Sequence, residues 1–115
     1  MTWDVVFSEQ ITEWFSHLDQ FTRTEVYSSI RLLQEFGPHL DRPYVGKIVG
    51  SKLKNMKELR PITNGSAAVR VLFAFDPERK AILLVAGDKA GQWKKWYKKH
   101  IPLAEEIYAR YRENR

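Results

Sequence analysis

Val69-Arg70-Val71-Leu72-Phe73-Ala74-Phe75, Asp76-Pro77-Glu78-Arg79 and Lys80-Ala81-Ile82-Leu83-Leu84-Val85-Ala86-Gly87 run in unbroken succession, and their reading decides the fold. The first segment alternates. Val69, Val71, Phe73 and Phe75 fall on one face of a strand; Arg70, Leu72 and Ala74 fall on the other. The second carries the Asp and Pro that favour a tight turn. The third is continuously apolar, which predicts a central strand buried on both faces. Two strands joined by a short turn make an antiparallel pair, so a sheet lies at the middle of the molecule.

Upstream, Lys54 to Ile62 reads as a further strand, and Asn64-Gly65-Ser66 is a hairpin turn signal leading into a strand from Ala67 to Phe75. Residues 38–52 are punctuated by Pro38, Pro43, Gly46, Gly50 and Ser51 and predict a loop bearing Arg42, Lys47 and Lys52. Earlier still, Ser8 offers an N-cap, and Ile11, Trp14, Phe15 and Leu18 follow at helical spacing. Thr22-x-x-Glu25 suggests a capping box opening a second helix, with Phe21 and Val26 as its hydrophobic staple. Val26, Ile30 and Leu33 continue that helix until Gly37-Pro38 stops it. Trp3 to Phe7 is a short strand. Downstream, Trp93, Trp96 and Tyr97 recur at helical spacing, and Pro102 is expected to open a last helix at its first position.

The order is strand, two helices, three strands, helical C-terminus. It predicts a single α+β domain over residues 1–115, with the helices gathered on one side of a mostly antiparallel sheet and Arg70 on the other.

Charge separates along the chain. The total is +5, but residues 1–41 hold two basic and seven acidic residues, whereas residues 42–99 hold fourteen basic and four acidic ones. Such asymmetry points to one surface for a polyanion and another for a different partner. The absence of cysteine excludes disulfides and thiolate metal sites. His17, His39 and His100 lie far apart and match no metal-ligand spacing, and no metal or other cofactor is expected. No glycine-rich phosphate loop or nucleophile elbow occurs. The longest apolar run, Ala81 to Ala86, is too short to span a membrane, and the N-terminal residues lack a secretory pattern. The expectation is a cytoplasmic protein without membrane contact.

What remains for chemistry is lysine, arginine and aromatic rings. Arg70 sits mid-strand among apolar residues, where a guanidinium needs an anionic partner. That partner is either Glu58, in a structural salt bridge, or a phosphate held jointly by Arg60, Arg70 and Lys89. RNA carries its own nucleophile, the 2′-hydroxyl, so positioning and charge stabilisation alone could drive its cleavage. Lys52, Lys54, Lys94, Lys95, Lys98 and Lys99 are candidate backbone contacts, and Trp93 is a candidate platform for a splayed base. At least two of Trp93, Trp96 and Tyr97 are expected in the core.

The motifs Met56-Lys57-Glu58-Leu59-Arg60-Pro61, Val69 to Pro77, Ala81 to Lys89, and Trp93…Trp96-Tyr97…Ile101-Pro102, taken in this order, resemble the RelE/ParE superfamily of toxins, in its HigB-like, phage-related branch. The resemblance implies a messenger RNA endoribonuclease acting at the ribosome and a helix-turn-helix antitoxin that neutralises it. It implies catalytic roles for Arg60, Arg70, Lys89, Lys57 and Tyr97, the tyrosine orienting or activating the hydroxyl. ParE-like relatives instead poison DNA gyrase without cleaving anything. A binding module devoid of activity is the third possibility.

Overall fold

A computed structural model describes residues 2–61 and 68–114. The chain forms β1 (Asp4–Phe7), α1 (Glu9–Ser16) and α2 (Gln20–Phe36), then a 3₁₀ turn at Gly37–His39. β2 (Val45–Lys47), β3 (Met56–Leu59), β4 (Val69–Phe75), β5 (Lys80–Asp88) and α3 (Trp93–Glu113) follow. One five-stranded sheet has the order β1-β5-β4-β3-β2. β1 runs parallel to β5, and the other three pairings are antiparallel. The central strands are the apolar ones quoted above, as their composition requires. The Asn64-Gly65-Ser66 turn lies outside the described residues.

The sheet is covered on both faces, not one. Val69, Val71 and Phe73 of β4 and Ala81 and Leu83 of β5 meet Ile11 of α1 and Val26, Ile30 and Leu33 of α2. On the opposite face, Met56, Leu72, Ala74, Ile82, Leu84 and Val85 meet Trp96, Ala104 and Ile107 of α3. The physical reason is legible in β5. A strand apolar on both faces cannot leave one of them in water, because each fully buried Leu or Ile contributes about 1.5–3 kcal/mol.

Local signals decide the ends of the elements. Ser8 caps α1: its Oγ accepts from the Ile11 N–H at 3.1 Å and donates to the Leu84 carbonyl at 2.7 Å. This ties the helix to the sheet. The cap of α2 is Asp19 rather than Thr22. Asp19 Oδ1 accepts from the Thr22 N–H at 2.7 Å, so the helix starts three residues earlier and Phe21, within its first turn, is exposed. Gly37 ends α2 at φ +54°, with the Trp3 indole against it.

Two further expectations are corrected. The 38–52 segment contains β2, an edge strand paired with β3, and β3 starts at Met56 after a turn closed by Met56 N–H to the Leu53 carbonyl. Pro102 opens no helix; it lies inside α3. Trp96 on one side of it and Ala104 and Ile107 on the other are all buried on the same sheet face. That packing holds both halves in one helix, and exposed Pro102 forfeits a single backbone hydrogen bond.

Candidate active site

α3 packs on one face of the sheet, and beside its N-terminal turns a cleft opens against β3 and the segment after β2. There the chain places a buried carboxylate. Alternation along β3 sends Met56 and Glu58 to the α3 face, and Glu58 is 2% exposed. Its Oε2 accepts from Arg60, with Nε and Nη2 each at 2.8 Å. Its Oε1 accepts from the Tyr97 hydroxyl. Arg70 Nε stands 3.9 Å from the same Oε2, near enough for charge attraction but too far for a hydrogen bond. Arg70 Nη1 donates to the Val69 carbonyl at 2.8 Å, and its Nε, though buried, has no hydrogen-bond partner.

Lys89 completes the cluster. It follows β5 directly, anchored by its N–H to the Ala68 carbonyl, and its Nζ lies 5.4 Å from the centre of the Tyr97 ring. Burial pushes its pKa below the ordinary lysine value, and the charges of Arg70 and Arg60 push the same way against the attraction of Glu58. Burial, with the hydrogen bond to Glu58, pushes the Tyr97 phenol up to about 12. Arg60, Arg70 and Lys89 thus gather three positive charges around one carboxylate.

Two glycines make room for this arrangement. Gly46 on β2 pairs with Glu58, and a Cβ there would meet Arg60 Nη2 at 2.3 Å. Gly87 on β5 pairs with Arg70, and a Cβ there would meet Trp96 Nε1 at 2.7 Å. Side chains at either position would push the guanidinium or the indole aside.

All of the cluster but Arg70 lines an open cleft of about 430 Å³. Glu58, Arg60, Lys89 and Tyr97 supply its charged and polar wall, and Trp93, Ile48 and Val49 its apolar one. Lys47 and Lys94 stand at the rim. Trp93 is 54% and Val49 90% exposed, so bulky apolar groups face water beside a cationic site. The first turn of α3 holds Lys94 and Lys95, no acidic residue and no side-chain cap. That pattern opposes the helix dipole and suits a bound anion.

The expected site residues divide accordingly. Arg60, Arg70, Lys89 and Tyr97 converge. Lys57 does not: alternation turns it to the opposite face, where its Nζ lies 5.7 Å from the centre of the Phe75 ring. Trp96 is core, stacked on His100 at 4.3 Å, whereas Tyr97 is half-buried and Trp93 stands free. Lys94 shares the cleft. Lys98 lies one helical turn beyond it, and Lys95 and Lys99 fall on the solvent side of α3. Lys52 and Lys54 are exposed in the loop whose Ser51 Oγ and Lys52 N–H bind Glu105 of α3. Glu58 emerges as the hub of the site rather than as a salt-bridge partner alone. Gly46 and Val49 were hidden in a segment that reads as loop.

The sequence profile of the family described as "Phage derived protein Gp49-like (DUF891)" matches residues 13–109. Two curated relatives come from Mycobacterium tuberculosis (strain ATCC 25618 / H37Rv), HigB2 and HigB3, both named as candidate toxins. HigB2 is 50% identical over 101 residues, 88% of this chain but half of HigB2 itself. HigB3 is 47% identical over 102 residues, 89% of this chain and 87% of HigB3. Among solved structures, the free toxin RelE of Escherichia coli, as a double arginine-to-alanine mutant, superposes with a TM-score of 0.60 at 14% identity, covering 95% of this chain and 93% of RelE. The toxin of the archaeal RelE–RelB complex from Pyrococcus horikoshii OT3 gives 0.59 at 15% identity, covering 79% of this chain and 99% of that one. At such identity the likeness speaks to the fold alone. With the family profile and the two curated relatives in agreement, the chain belongs to the Gp49-like, HigB-like family, and its fold is the one seen in the RelE structures.

Proposed function

We propose that this chain is the toxin of a toxin–antitoxin pair in the cytoplasm, an endoribonuclease that cuts ribosome-bound messenger RNA and is neutralised by a helix-turn-helix antitoxin. The observation that carries the reading is the gathering of Arg60, Arg70 and Lys89 around a single buried carboxylate, with Arg60, Lys89 and that carboxylate lining an open cleft and Arg70 behind them. Three like charges held together repel one another, and one carboxylate balances only one of them. A phosphodiester would supply the missing negative charge and a further acceptor for Arg70, whose Nε makes no hydrogen bond.

The chemistry follows from the substrate. The 2′-oxygen of RNA attacks the adjacent phosphorus, the 5′-oxygen departs, and a 2′,3′-cyclic phosphate and a 5′-hydroxyl result. Arg60 and Arg70 are suited to the equatorial oxygens, where charge grows in the transition state. Lys89 supplies a third charge and, at its lowered pKa, a proton for the leaving oxygen. Trp93, with Ile48 and Val49 beside it, offers a surface for a splayed base. The antitoxin is supported by solved relatives: RelE-type chains occur in complexes with RelB, including the intact RelBE toxin–antitoxin complex of E. coli.

The test uses pure protein in three assays: message on programmed ribosomes, the same message free, and DNA supercoiling by gyrase. The reading expects cleavage in the first assay and unaffected supercoiling. Intact message with inhibited supercoiling would assign the chain to gyrase poisoning instead. Salt-sensitive RNA binding without either effect would make it a binding module.

A further inference from the structure

Resting on that reading, one question is where the proton of the attacking 2′-hydroxyl goes. None of the three histidines lines the cleft. Arginine stays charged and cannot accept. Lys89 is needed in its protonated form for the leaving oxygen. Tyr97 lines the cleft, but its own proton is already given to Glu58 Oε1, and a phenol whose proton is committed has only lone pairs left to offer. Glu58, in turn, lines the cleft but is only 2% exposed, and its Oε1 is already taken by the Tyr97 hydroxyl.

We infer that Glu58 is the proton sink for the attacking hydroxyl and is reached through Tyr97. In the step, the 2′-hydroxyl donates to Tyr97 Oη while the Tyr97 proton passes to Glu58 Oε1. The 2′-oxygen forms its bond to phosphorus, the bond from phosphorus to the 5′-oxygen breaks, and that oxygen takes a proton from Lys89. Glu58 ends protonated and Lys89 neutral; solvent restores both. No phenolate is formed at any point, which agrees with a phenol held neutral far above neutral pH. Arg60, hydrogen-bonded to Oε2 through Nε with Nη2 in ion-pair contact, holds the carboxylate with Oε1 toward the phenol. Glu58 is thus a positioning residue that acts through Tyr97.

The experiment is single-turnover cleavage of ribosome-bound message by the full chain across pH, with Glu58→Gln, Tyr97→Phe and the double variant. A carboxamide still accepts from the Tyr97 hydroxyl but is a far weaker base. The relay therefore predicts a loss of about 100-fold in the cleavage step for Glu58→Gln. Tyr97→Phe should lose as much, and the double variant no more than either, because the two act as one unit. Affinity for a message carrying a 2′-deoxy sugar at the scissile position should be unchanged in all three. A wild type that cleaves while both single variants match its rate overturns the relay alone. If Glu58→Gln does not fold, Tyr97→Phe decides by the same criterion. A wild type that cuts no message overturns the functional reading and the relay with it.

Discussion

Gly46 and the guanidinium of Arg60 fit together only because Gly46 has no side chain: a Cβ would stand 2.3 Å from Arg60 Nη2. The group that would have to move is the tip of a flexible side chain, not backbone. Gly46→Ala is therefore expected to fold, at a cost of about 1–3 kcal/mol for a buried Glu58 carboxylate that loses its hydrogen-bonded partner. Its cleavage rate should nonetheless fall about 10-fold or more, since Arg60 would leave both Glu58 and the cleft. Denaturant unfolding and single-turnover rates on the same sample check both halves. Unchanged cleavage would show that the position of Arg60 does not matter.

Arg70 is held by Glu58 less tightly than Arg60 is. Its Nε is buried without a hydrogen bond and stands 3.9 Å from Glu58. Arg70→Ala should cost cleavage on the order of 100- to 1,000-fold, the scale of losing one charge-stabilising donor, while changing stability by about 1 kcal/mol at most. Arg70→Lys should recover little, because an ammonium lacks the planar fork. Rates and unfolding midpoints for the two variants test this. A strongly destabilised Arg70→Ala would return the residue to a structural salt bridge.

Tyr97 offers a readout independent of RNA. Its phenol is pushed up to about 12, by burial first and the hydrogen bond to Glu58 second. A phenol whose folded pKa is raised contributes stability that is complete below its unfolded value near 10. That contribution is lost as pH climbs through about 12. Ultraviolet titration of phenolate should show a late step near that pH, absent in Tyr97→Phe. Burial raises Tyr108 and Tyr111 as well, so the difference between variant and wild type is the diagnostic quantity. A difference step centred near pH 10 would mean that the Glu58–Tyr97 bond is not made.

The two neighbouring tryptophans should behave oppositely. Trp96, 9% exposed, packs against Leu72, Ile82 and Leu84, and its loss to alanine should cost about 3–5 kcal/mol. Trp93, 54% exposed beside the cleft, should cost little stability when changed to alanine. Its affinity for single-stranded RNA should drop by about 1–3 kcal/mol, the scale of one base–aromatic stack. Melting and fluorescence binding separate the two. Equal RNA affinity for Trp93→Ala and wild type would remove the ring from the binding surface.

The fold was readable where side chains declare their surroundings. Period-two alternation in β4 and the unbroken apolar run of β5 placed both strands, and Ser8 marked the start of α1. What stayed hidden depended on distant partners. That α3 covers the second sheet face is implied by β5, whose two apolar faces both need cover, yet the broken appearance of Trp93 to Ile107 at Pro102 concealed a single helix. β2 is three residues long and held by β3, so nothing local announces it. In the site, Arg60, Arg70, Lys89 and Tyr97 were legible as residue types that suit phosphate chemistry. Lys57 was miscounted because strand parity, fixed by where β3 starts, turns it to the far face. The position of Glu58 at the centre could not be read from spacing, because it rests on a bond to Tyr97, 39 residues away.

The central claim is that Arg60, Arg70 and Lys89 hold a scissile ribose-phosphate. The most direct measurement is genome-wide mapping of 5′-hydroxyl transcript ends after brief induction of the chain, set beside Arg70→Ala at equal protein level. Wild type should arrest growth and produce new 5′-hydroxyl ends inside translated messages, and the variant should do neither. Growth arrest with no new ends, or the same ends from Arg70→Ala, would contradict it.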